Sequence, residues 1–383
     1  MMVGMPVSFT AAVTDATGGN VKIQRKDFLT EGLLPVIDQG QEDVAGFTND
    51  FSHAYSGDLP VVLFGDHTRA FKYVDRPFAL GADGVKVLAP RTGFNAKFLY
   101  YYFLSCDIPS RGYSRHFKFL KEFDIPLFAP SEQCRIVELL DEADRLRRLR
   151  READAKAVRI LPALFLKMFG DPATNPMGWP IEPLTKICNP KQWPTISAKE
   201  LTESGFPVFG ANGKIGFYSA YNHEHPTILI TCRGATCGTI NVCEPKSYVT
   251  GNAMALDDPD LKKTSLEFLE CYLNVRGLND TITGAAQPQI TRQNLQPVTV
   301  FVPAPELVES FSRRASAIKE ILANTQSGGE RLDGTFGLLL KRAFSGQLTA
   351  KWREAHMKEL LTEMEQQARL LNLPMPIEQG ALV

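Results

Sequence analysis

The residues best suited to chemistry form a group of histidines and cysteines in the second half of the chain. The group comprises His223, His225, Cys232, Cys237 and Cys243. Imidazole and thiolate groups are the usual ligands of zinc, and a zinc ion with an open coordination position supports hydrolysis. The spacing does not match the paired-cysteine signature of zinc sites, and two of the cysteines flank a strand-like run, where a small thiol packs well. We expect buried thiols with exposed histidines and no metal site, with a zinc-dependent hydrolase or nuclease as the less favoured alternative.

The sequence motifs of nucleotide hydrolysis and of methyl transfer are incomplete in this chain. Gly213-Lys214 lacks the upstream glycine and the following Ser or Thr of a phosphate-binding loop. A base methyltransferase would carry an Asn/Asp-Pro-Pro-aromatic tetrapeptide, but each candidate Asp-Pro or Asn-Pro pair is followed by the wrong residue. Among these pairs are Asp171-Pro172, Asn189-Pro190 and Asp258-Pro259. We therefore expect no catalytic residues and no cofactor in this chain.

Composition limits the class of protein. The chain has 383 residues, enough for two or three domains, and 44% hydrophobic with 22% charged residues, which is typical of a globular protein. Seven cysteines in a chain of this length favour reduced thiols and a cytoplasmic location. No apolar run approaches the roughly 18 residues of a membrane helix. The net charge of −1 gives no global attraction to nucleic acid, so any DNA-binding face must arise when folding sorts the charges.

An internal repeat organises the sequence. Leu29-Thr30-Glu31 recurs as Leu201-Thr202-Glu203, and further matches keep the same order at offsets of 166 to 175 residues. The further matches pair Phe98 and Tyr102 with Phe268 and Tyr272, residues 61–64 with 227–230, and residues 123–130 with 298–305. Within each copy, short β-branched runs such as 60–64, 85–88, 227–231 and 298–302 predict strands, and residues 96–105 and 265–275 predict one helix per copy. The sequence thus predicts two diverged copies of one mixed α/β unit.

A long amphipathic helical pattern follows each copy. The predicted organisation is an α/β domain over residues 1–130, a helix over 131–169, a second domain over 170–304, a second helix over 305–346 and a polar helical tail over 347–383. Pro162 is expected to kink or end the first helix near Leu161, and Gly328-Gly329 to bend or fray the second. The two apolar stripes can pair as an antiparallel coiled coil, giving an α+β protein with a helical spacer. The alternative is that each helix packs on its own domain. The tail is either a docking segment or solvated.

The junctions between these segments resemble those of a known family, the specificity (S) subunits of type I restriction-modification enzymes. Residues 125–137 (IPLFAPSEQCRIV) resemble the family's junction between a target-recognition domain and a conserved helix. Residues 165–172 (FLKMFGDP) and 339–349 (LLKRAFSGQLT) resemble its helix ends, and residues 284–290 (GAAQPQI) and 112–120 (GYSRHFKFL) its recognition loops. The second domain opens with the family's Gly178-Trp179-Pro180, which has no counterpart in the first domain.

The resemblance implies a non-catalytic subunit that binds a bipartite DNA target through its two recognition domains. A helix of about 30 residues spans roughly 45 Å, somewhat more than one turn of duplex at about 34–36 Å. The resemblance further implies docking of two methyltransferase (M) subunits and of restriction (R) subunits, with S-adenosylmethionine, ATP and Mg²⁺ on those partners. A recognition module of a related phage-defence system with other catalytic partners is an alternative.

Candidate contact residues follow from residue type and position in the loops. Arg and Lys can read guanine and Gln can read adenine in the major groove. The candidates for DNA contact are Arg111, Arg115, His116 and Lys118 in the first copy and Lys214, Arg233, Gln287, Gln289 and Arg292 in the second. The candidates for contact with partner subunits are Arg147, Arg148, Arg151 and Phe344 on the helices.

Overall fold

The computed structural model describes residues 4–82, 84–110, 112, 114–284 and 287–371. The chain divides into two compact units. Unit 1 comprises Met1–Arg150 together with Gly329–Val383, and unit 2 comprises Arg151–Gly328. In the described part of the chain, no helix combines the length and the apolar character that crossing a membrane requires.

Unit 1 begins with an α/β domain whose strands are short. The strands are β1 (Met5–Val7), β2 (Val13–Asp15), β3 (Lys22–Ile23), β4 (Leu34–Ile37), β5 (Gly46–Thr48), β6 (Val61–Gly65), β7 (Phe71–Val74), β8 (Ala79–Gly81), β9 (Val85–Pro90) and β10 (Ile125–Leu127). The helices are α1 (Phe9–Ala12), α2 (Ala96–Ser105) and α3 (Phe117–Leu120). One sheet has the order β2-β9-β6-β7, a second has the order β3-β8-β4-β5, and β1 pairs antiparallel with β10. The fully apolar run in β6 is buried on both faces, which explains why it lacks the alternation of a half-exposed strand.

The first long helical segment consists of two helices, α4 (Pro130–Ala157) and α5 (Ile160–Phe169). The break lies at residues 158–159, a little before the position expected from Pro162. Pro162 is the third residue of α5, where its missing N–H has no partner to lose within the helix. Pro162 therefore lies in the first turn of α5 and does not interrupt the hydrogen bonds of that helix.

Unit 2 contains the second α/β domain. Its strands are β11 (Ile181–Pro183), β12 (Asn189–Gln192), β13 (Phe206–Gly210), β14 (Gly213–Tyr218), β15 (Ile228–Thr231), β16 (Ile240–Val242), β17 (Tyr248–Val249), β18 (Ala253–Asp257) and β19 (Thr299–Phe301), with helices α6 (Leu184–Ile187) and α7 (Leu266–Arg276). One sheet has the order β12-β18-β15-β16, a second has the order β14-β13-β17, and β11 pairs antiparallel with β19.

The second long helix, α8 (Pro305–Phe344), is continuous through Gly328-Gly329. The expected fraying is absent, since two glycines cost only about 1 kcal/mol each in a helix that is hydrogen-bonded on both sides. In unit 1, Phe336, Leu340 and Ala343 of α8 pack in one core with α2 and with Ile136 and Leu140 of α4. In unit 2, other residues of α8, among them Phe311 and Ala315, pack with α5 and α7. The helices thus contribute to the cores of the α/β domains.

The tail forms α9 (Ala350–Ala355) and α10 (Met357–Leu370) and packs on unit 1. The Arg353 guanidinium donates to the carboxylate of Glu132 over 2.6 Å, and both side chains are buried. Gln367 donates to the carbonyl of Gly93 over 2.7 Å. Residues 347–371 therefore pack against the rest of unit 1, and the alternative of a solvated tail is wrong for them.

Candidate nucleic-acid interface

Three loops of unit 2 are joined by hydrogen bonds at one end of its main sheet. They are the hairpin turn 211–214 after β13, the loop 232–239 after β15, and the loop around residues 284 and 287–290; we call them together the unit 2 loop cluster. The Ile290 N–H donates to the carbonyl of Cys232 over 3.0 Å, and the Gly234 N–H donates to that of Pro288 over 3.2 Å. The Thr231 hydroxyl donates to the carbonyl of Ala211. These bonds tie each loop to another.

The structure brings two predicted residues of this cluster side by side. Arg233 and Gln289 form an antiparallel backbone bridge, and both side chains are exposed. Thr283 and Gln289 exchange backbone hydrogen bonds of 2.9 and 2.8 Å, which closes the loop that carries the exposed Gln287. Gly284 is required here, because it adopts a φ of +87° and a Cβ would lie 2.5 Å from the carbonyl oxygen of Gln287.

Two further predicted residues of unit 2 lie at the edges of the cluster. Lys214 is exposed at the start of β14, where its ammonium lies 3.7 Å from the carboxylate of Glu244 and 4.7 Å from the ring centroid of Phe217. Arg292 is exposed and precedes the short 3-10 turn Gln293–Leu295. The Lys214 ammonium therefore forms an ion pair with the carboxylate of Glu244.

Unit 1 has a loop cluster built in the same way, from residues 38–45, 66–70 and 114–116, which we call the unit 1 loop cluster. The His116 N–H donates to the carbonyl of Asp66 over 2.9 Å, and the Thr68 hydroxyl donates to the carbonyl of Gln39. The Asp66 N–H donates to the carbonyl of Gly84 over 2.7 Å, and in unit 2 the Cys232 N–H donates to that of Asn252 over 3.2 Å. Asp66 and Cys232 thus occupy corresponding positions after β6 and β15.

The predicted residues of unit 1 divide between surface and core. Arg115 and Lys118 are exposed, and the Lys118 ammonium lies 4.8 Å from the ring centroid of Phe119. His116 is only 1% exposed, and its Nδ1 lies 2.9 Å from the carbonyl oxygen of Asp66. A buried imidazole cannot reach a base edge, so its role as a DNA contact is corrected to one of positioning the loop. Arg111 lies outside the described residues.

A buried lysine fixes another part of the unit 1 loop cluster. Lys72 on β7 donates through Nζ to the carbonyl of Asp38 over 2.9 Å and to that of Glu42. Burial lowers the pKa of Lys72, and the nearby Asp38 carboxylate opposes part of that effect. Lys72 therefore acts on loop 38–45 through main-chain hydrogen bonds.

The histidines and cysteines of unit 2 differ in burial: His225 is exposed and Cys237 is half-buried, whereas His223 is buried, so the expectation of exposed histidines is wrong for His223. Cys232 and Cys243 are buried, and burial raises the pKa of Cys232 to about 12. This direction opposes formation of the thiolate that a metal ligand or nucleophile needs. His223 lies between Asp257, at 2.9 Å from Nε2, and Asn222, at 2.7 Å from Nδ1. Within the described residues, no three His, Cys, Asp or Glu side chains are grouped so that they could hold a metal ion.

The candidate partner contacts also divide between surface and core. Phe344 packs edge-to-face on Phe98 at 5.4 Å, in the core of unit 1. Arg147 lies 4.1 Å above the ring of Phe336 and donates to Asp333 over 2.7 Å. These two residues are corrected to core and helix-packing roles, because most of each side chain is covered within unit 1. Arg148 and Arg151 are exposed on α4.

Sequence reasoning missed Asn212 and Thr236 of the unit 2 loop cluster. The Thr236 hydroxyl donates to Oδ1 of Asn212, which joins the hairpin turn to the loop after β15. Asn212-Gly213 is a dipeptide typical of hairpin turns, so the sequence indicated a turn here, although the two turn residues are Ala211 and Asn212 and Gly213 already belongs to β14. The pairing with Thr236 has no signal in the sequence, since it depends on how two loops meet.

Comparison with known proteins defines the class of the second domain. Residues 176–310 match the family model "Type I restriction modification DNA specificity domain". This part of the chain is therefore a DNA-specificity domain, and the predicted recognition function, in place of a catalytic one, is confirmed for it. Of the segments that carried the resemblance, Gly178-Trp179-Pro180 and the loop 284–290 lie inside this stretch.

The fold of the chain is similar to that of solved structures from type I restriction-modification systems. The S subunit of the type I restriction-modification system from M. genitalium aligns with a TM-score of 0.56 and 19% identity, over 89% of this chain and 96% of that one. A structure from work on complex assembly and conformational transition of the type I restriction-modification system aligns with a TM-score of 0.50 and 17% identity, over 90% and 96%. The search of curated proteins gives no match. The mixed α/β fold of this chain, with its two α/β domains, is thus similar to the fold of a solved S subunit.

Proposed function

We propose that this chain is the S subunit of a type I restriction-modification complex and recognises a bipartite DNA target with both loop clusters. The observation that carries the proposal is the shared construction of the clusters. In each, the residue that follows the central strand, Asp66 or Cys232, accepts a backbone hydrogen bond from the closing loop. The second cluster lies within the stretch that matches the DNA-specificity family.

The proposed internal repeat is supported by corresponding strand pairs. The orders β2-β9-β6-β7 and β12-β18-β15-β16 correspond strand for strand, as do the pairs β1-β10 and β11-β19. Each unit also has one aromatic contact of the same kind, Phe344 on Phe98 in unit 1 and Phe169 on Phe268 in unit 2. Residues 1–130 would accordingly be a second recognition domain.

The proposed helical spacer is supported by the ranges of α4 and α8 and by their contacts in unit 1. Arg147 of α4 contacts Asp333 and Phe336, while Ile136 and Leu140, nearer the start of α4, share a core with Leu340 and Ala343 of α8. The residue numbers of the contacts rise along α4 as they fall along α8, which indicates that the two helices pack antiparallel. A spacer of this kind would set an unread gap between two half-sites.

We assign base and phosphate contacts to the exposed basic and amide residues of the clusters. The unit 2 contacts are Lys214, Arg233, Gln287, Gln289 and Arg292, and those of unit 1 are Arg115 and Lys118, with Arg111 as an additional candidate from the sequence. Arginine pairs with guanine and glutamine with adenine through two hydrogen bonds each. Since neither domain has a net positive charge, specific affinity must come from this local set.

We further propose that α4 and α8 dock two M subunits, and that R subunits join the complex. Exposed apolar residues on α4, Leu146 and Leu149, lie close in sequence to the exposed Arg148 and Arg151. Apolar anchors with arginines are typical of protein interfaces. S-adenosylmethionine, ATP and Mg²⁺ would be bound by those partners.

Selection from a random duplex library by the full chain, purified together with a type I methyltransferase (M) subunit from the same host, tests the proposed function. The expected result is two short specified segments separated by a gap of constant length. Enrichment of one continuous segment, or of none, contradicts the proposal. The selection is done at fixed salt, because phosphate contacts make the affinity depend steeply on ionic strength.

A further inference from the structure

Asn212 stands at the tip of a tight hairpin in the unit 2 loop cluster. Gly210 of β13 pairs with Gly213 of β14, so Ala211 and Asn212 form the two-residue turn. Asn212 is exposed, and Gly213 has a φ of +101° with no atom within 4 Å of the position of a Cβ. The small neighbours leave room for a ligand to approach the amide of Asn212.

A hydrogen bond from the loop after β15 orients this amide. The Thr236 hydroxyl donates to Oδ1 of Asn212, which sets Oδ1 toward the loop after β15. Among the residues that the structure describes, no acceptor is paired with the Nδ2 amine. One lone pair of Oδ1 and the N–H groups of Nδ2 therefore remain available to a ligand. They offer it an acceptor next to a donor.

The surroundings match those of a base-reading side chain. The loop that holds Thr236 also holds Arg233, which is bridged to Gln289, so three side chains able to read bases belong to one hydrogen-bonded cluster. An amide that offers a donor and an acceptor together is complementary to adenine N7 and N6 in the major groove. The side-chain amide of an ordinary turn asparagine instead forms a hydrogen bond with the backbone of its own turn.

We propose that Asn212 reads an adenine in the half-site recognised by unit 2, and that Thr236 is the residue that positions its amide. This inference rests on the proposed DNA-recognition function. It adds one named base contact to that function and assigns it to a residue of the hairpin turn.

The test compares motifs selected from a random duplex library by the full chain and its variants. We expect Asn212→Ala to lose the preference for adenine at one position of one half-site, to bind the wild-type target about tenfold more weakly, and to keep every other position. Asn212→Asp keeps the shape of the side chain and removes its donor, so we expect it to disfavour adenine at that position. Thr236→Val is expected to weaken the preference at the same position.

Asn274→Ala is the matched control, because Asn274 is an exposed asparagine on α7 that bonds only within its helix. It is expected to select the wild-type motif. Retention of the full wild-type motif by Asn212→Ala and Asn212→Asp overturns the inference while leaving the proposed function intact. A wild-type chain that selects no motif overturns the proposed function itself, which is a different and distinguishable result.

Discussion

Arg353 and Glu132 lie 221 residues apart in the sequence and form a buried ion pair, with 2.6 Å between Nη2 and Oε1. Thr349 donates to the same carboxylate oxygen over 2.6 Å, and Arg353 also donates to the carbonyl of Gly346 over 2.8 Å. The pair joins the end of the chain to the start of α4, where the first α/β domain ends. The tail is thus part of the structure of unit 1.

Breaking this pair is expected to destabilise unit 1. Arg353→Ala leaves the Glu132 carboxylate buried without its partner, which typically costs about 3–5 kcal/mol. Urea unfolding of the full chain should show the loss in the transition of unit 1. The double variant Glu132→Gln, Arg353→Met removes both charges and should recover most of the loss. Equal stability of Arg353→Ala and the wild type would contradict the role of the pair.

Gly284 should be indispensable to the unit 2 loop cluster. An alanine there meets both a φ of +87° and a carbonyl oxygen at 2.5 Å, so the loop must rearrange and carry Gln287 out of place. We expect Gly284→Ala to bind the cognate duplex at least tenfold more weakly with little change in global stability. The control is Gly277→Ala. Gly277 has a φ of +70° and no atom within 4 Å of the position of a Cβ, so this variant introduces backbone strain without a steric clash. Equal affinities of the two variants would argue against a recognition role for this loop.

Arg233 should contribute a specific contact as well as charge. Arg233→Ala is expected to relax the preference at one base pair and to cost about 1–3 kcal/mol of binding free energy. Lys262→Ala provides the control, since Lys262 is exposed in unit 2 and outside the loop cluster. It removes the same charge and should leave the motif unchanged. Fluorescence anisotropy with cognate and single-substitution duplexes measures both effects. If the two variants weaken every duplex equally, Arg233 contributes charge alone.

The buried thiols predict a pH dependence of stability. Burial raises the pKa of Cys188, Cys232 and Cys271 from 9.0 to about 12. Between pH 9 and 12 the folded state therefore holds protons that the unfolded state releases, so the free energy of unfolding of unit 2 is full below pH 9 and falls as the pH rises toward 12. Cys232→Ala should reduce this slope. A flat profile from pH 8 to 11 would show that these thiols are exposed.

Thiol labelling separates the same account from the zinc alternative. At pH 8 and without denaturant, the exposed Cys134 should react rapidly with an aromatic disulfide reagent, whereas Cys188, Cys232 and Cys271 should react only on unfolding. A chelator should change neither the labelling rates nor the melting temperature. Release of stoichiometric zinc with exposure of Cys232 would restore the zinc-dependent alternative.

Local sequence signals predicted much of the secondary structure. The apolar runs 60–64 and 227–231 fall on β6 and β15, because a strand that is buried on both faces needs an unbroken run of apolar residues. The helical pattern 96–105 coincides with α2. The roles of individual side chains were harder to predict. His116 reads as a basic loop residue until its contact with Asp66, 50 positions earlier, shows that it is buried.

The same reason explains the other corrections. Phe344 and Arg147 lie on amphipathic helices, where the sequence indicates an apolar and a charged face but not which neighbour covers them. In the structure, Phe98 covers the first and Phe336 with Asp333 covers the second. Asn212 was overlooked because its importance depends on Thr236 in another loop. Long-range contacts decide such roles.

The most direct test of the central claim is a map of methylated adenines in host DNA with and without the gene for this chain. The account predicts one bipartite methylated motif, with a gap of fixed length, that disappears when the gene is deleted and returns when it is restored. With the Arg233→Ala variant, the motif should relax in one half-site only. Unchanged methylation after deletion, or loss of a single continuous motif, would contradict recognition by two loop clusters.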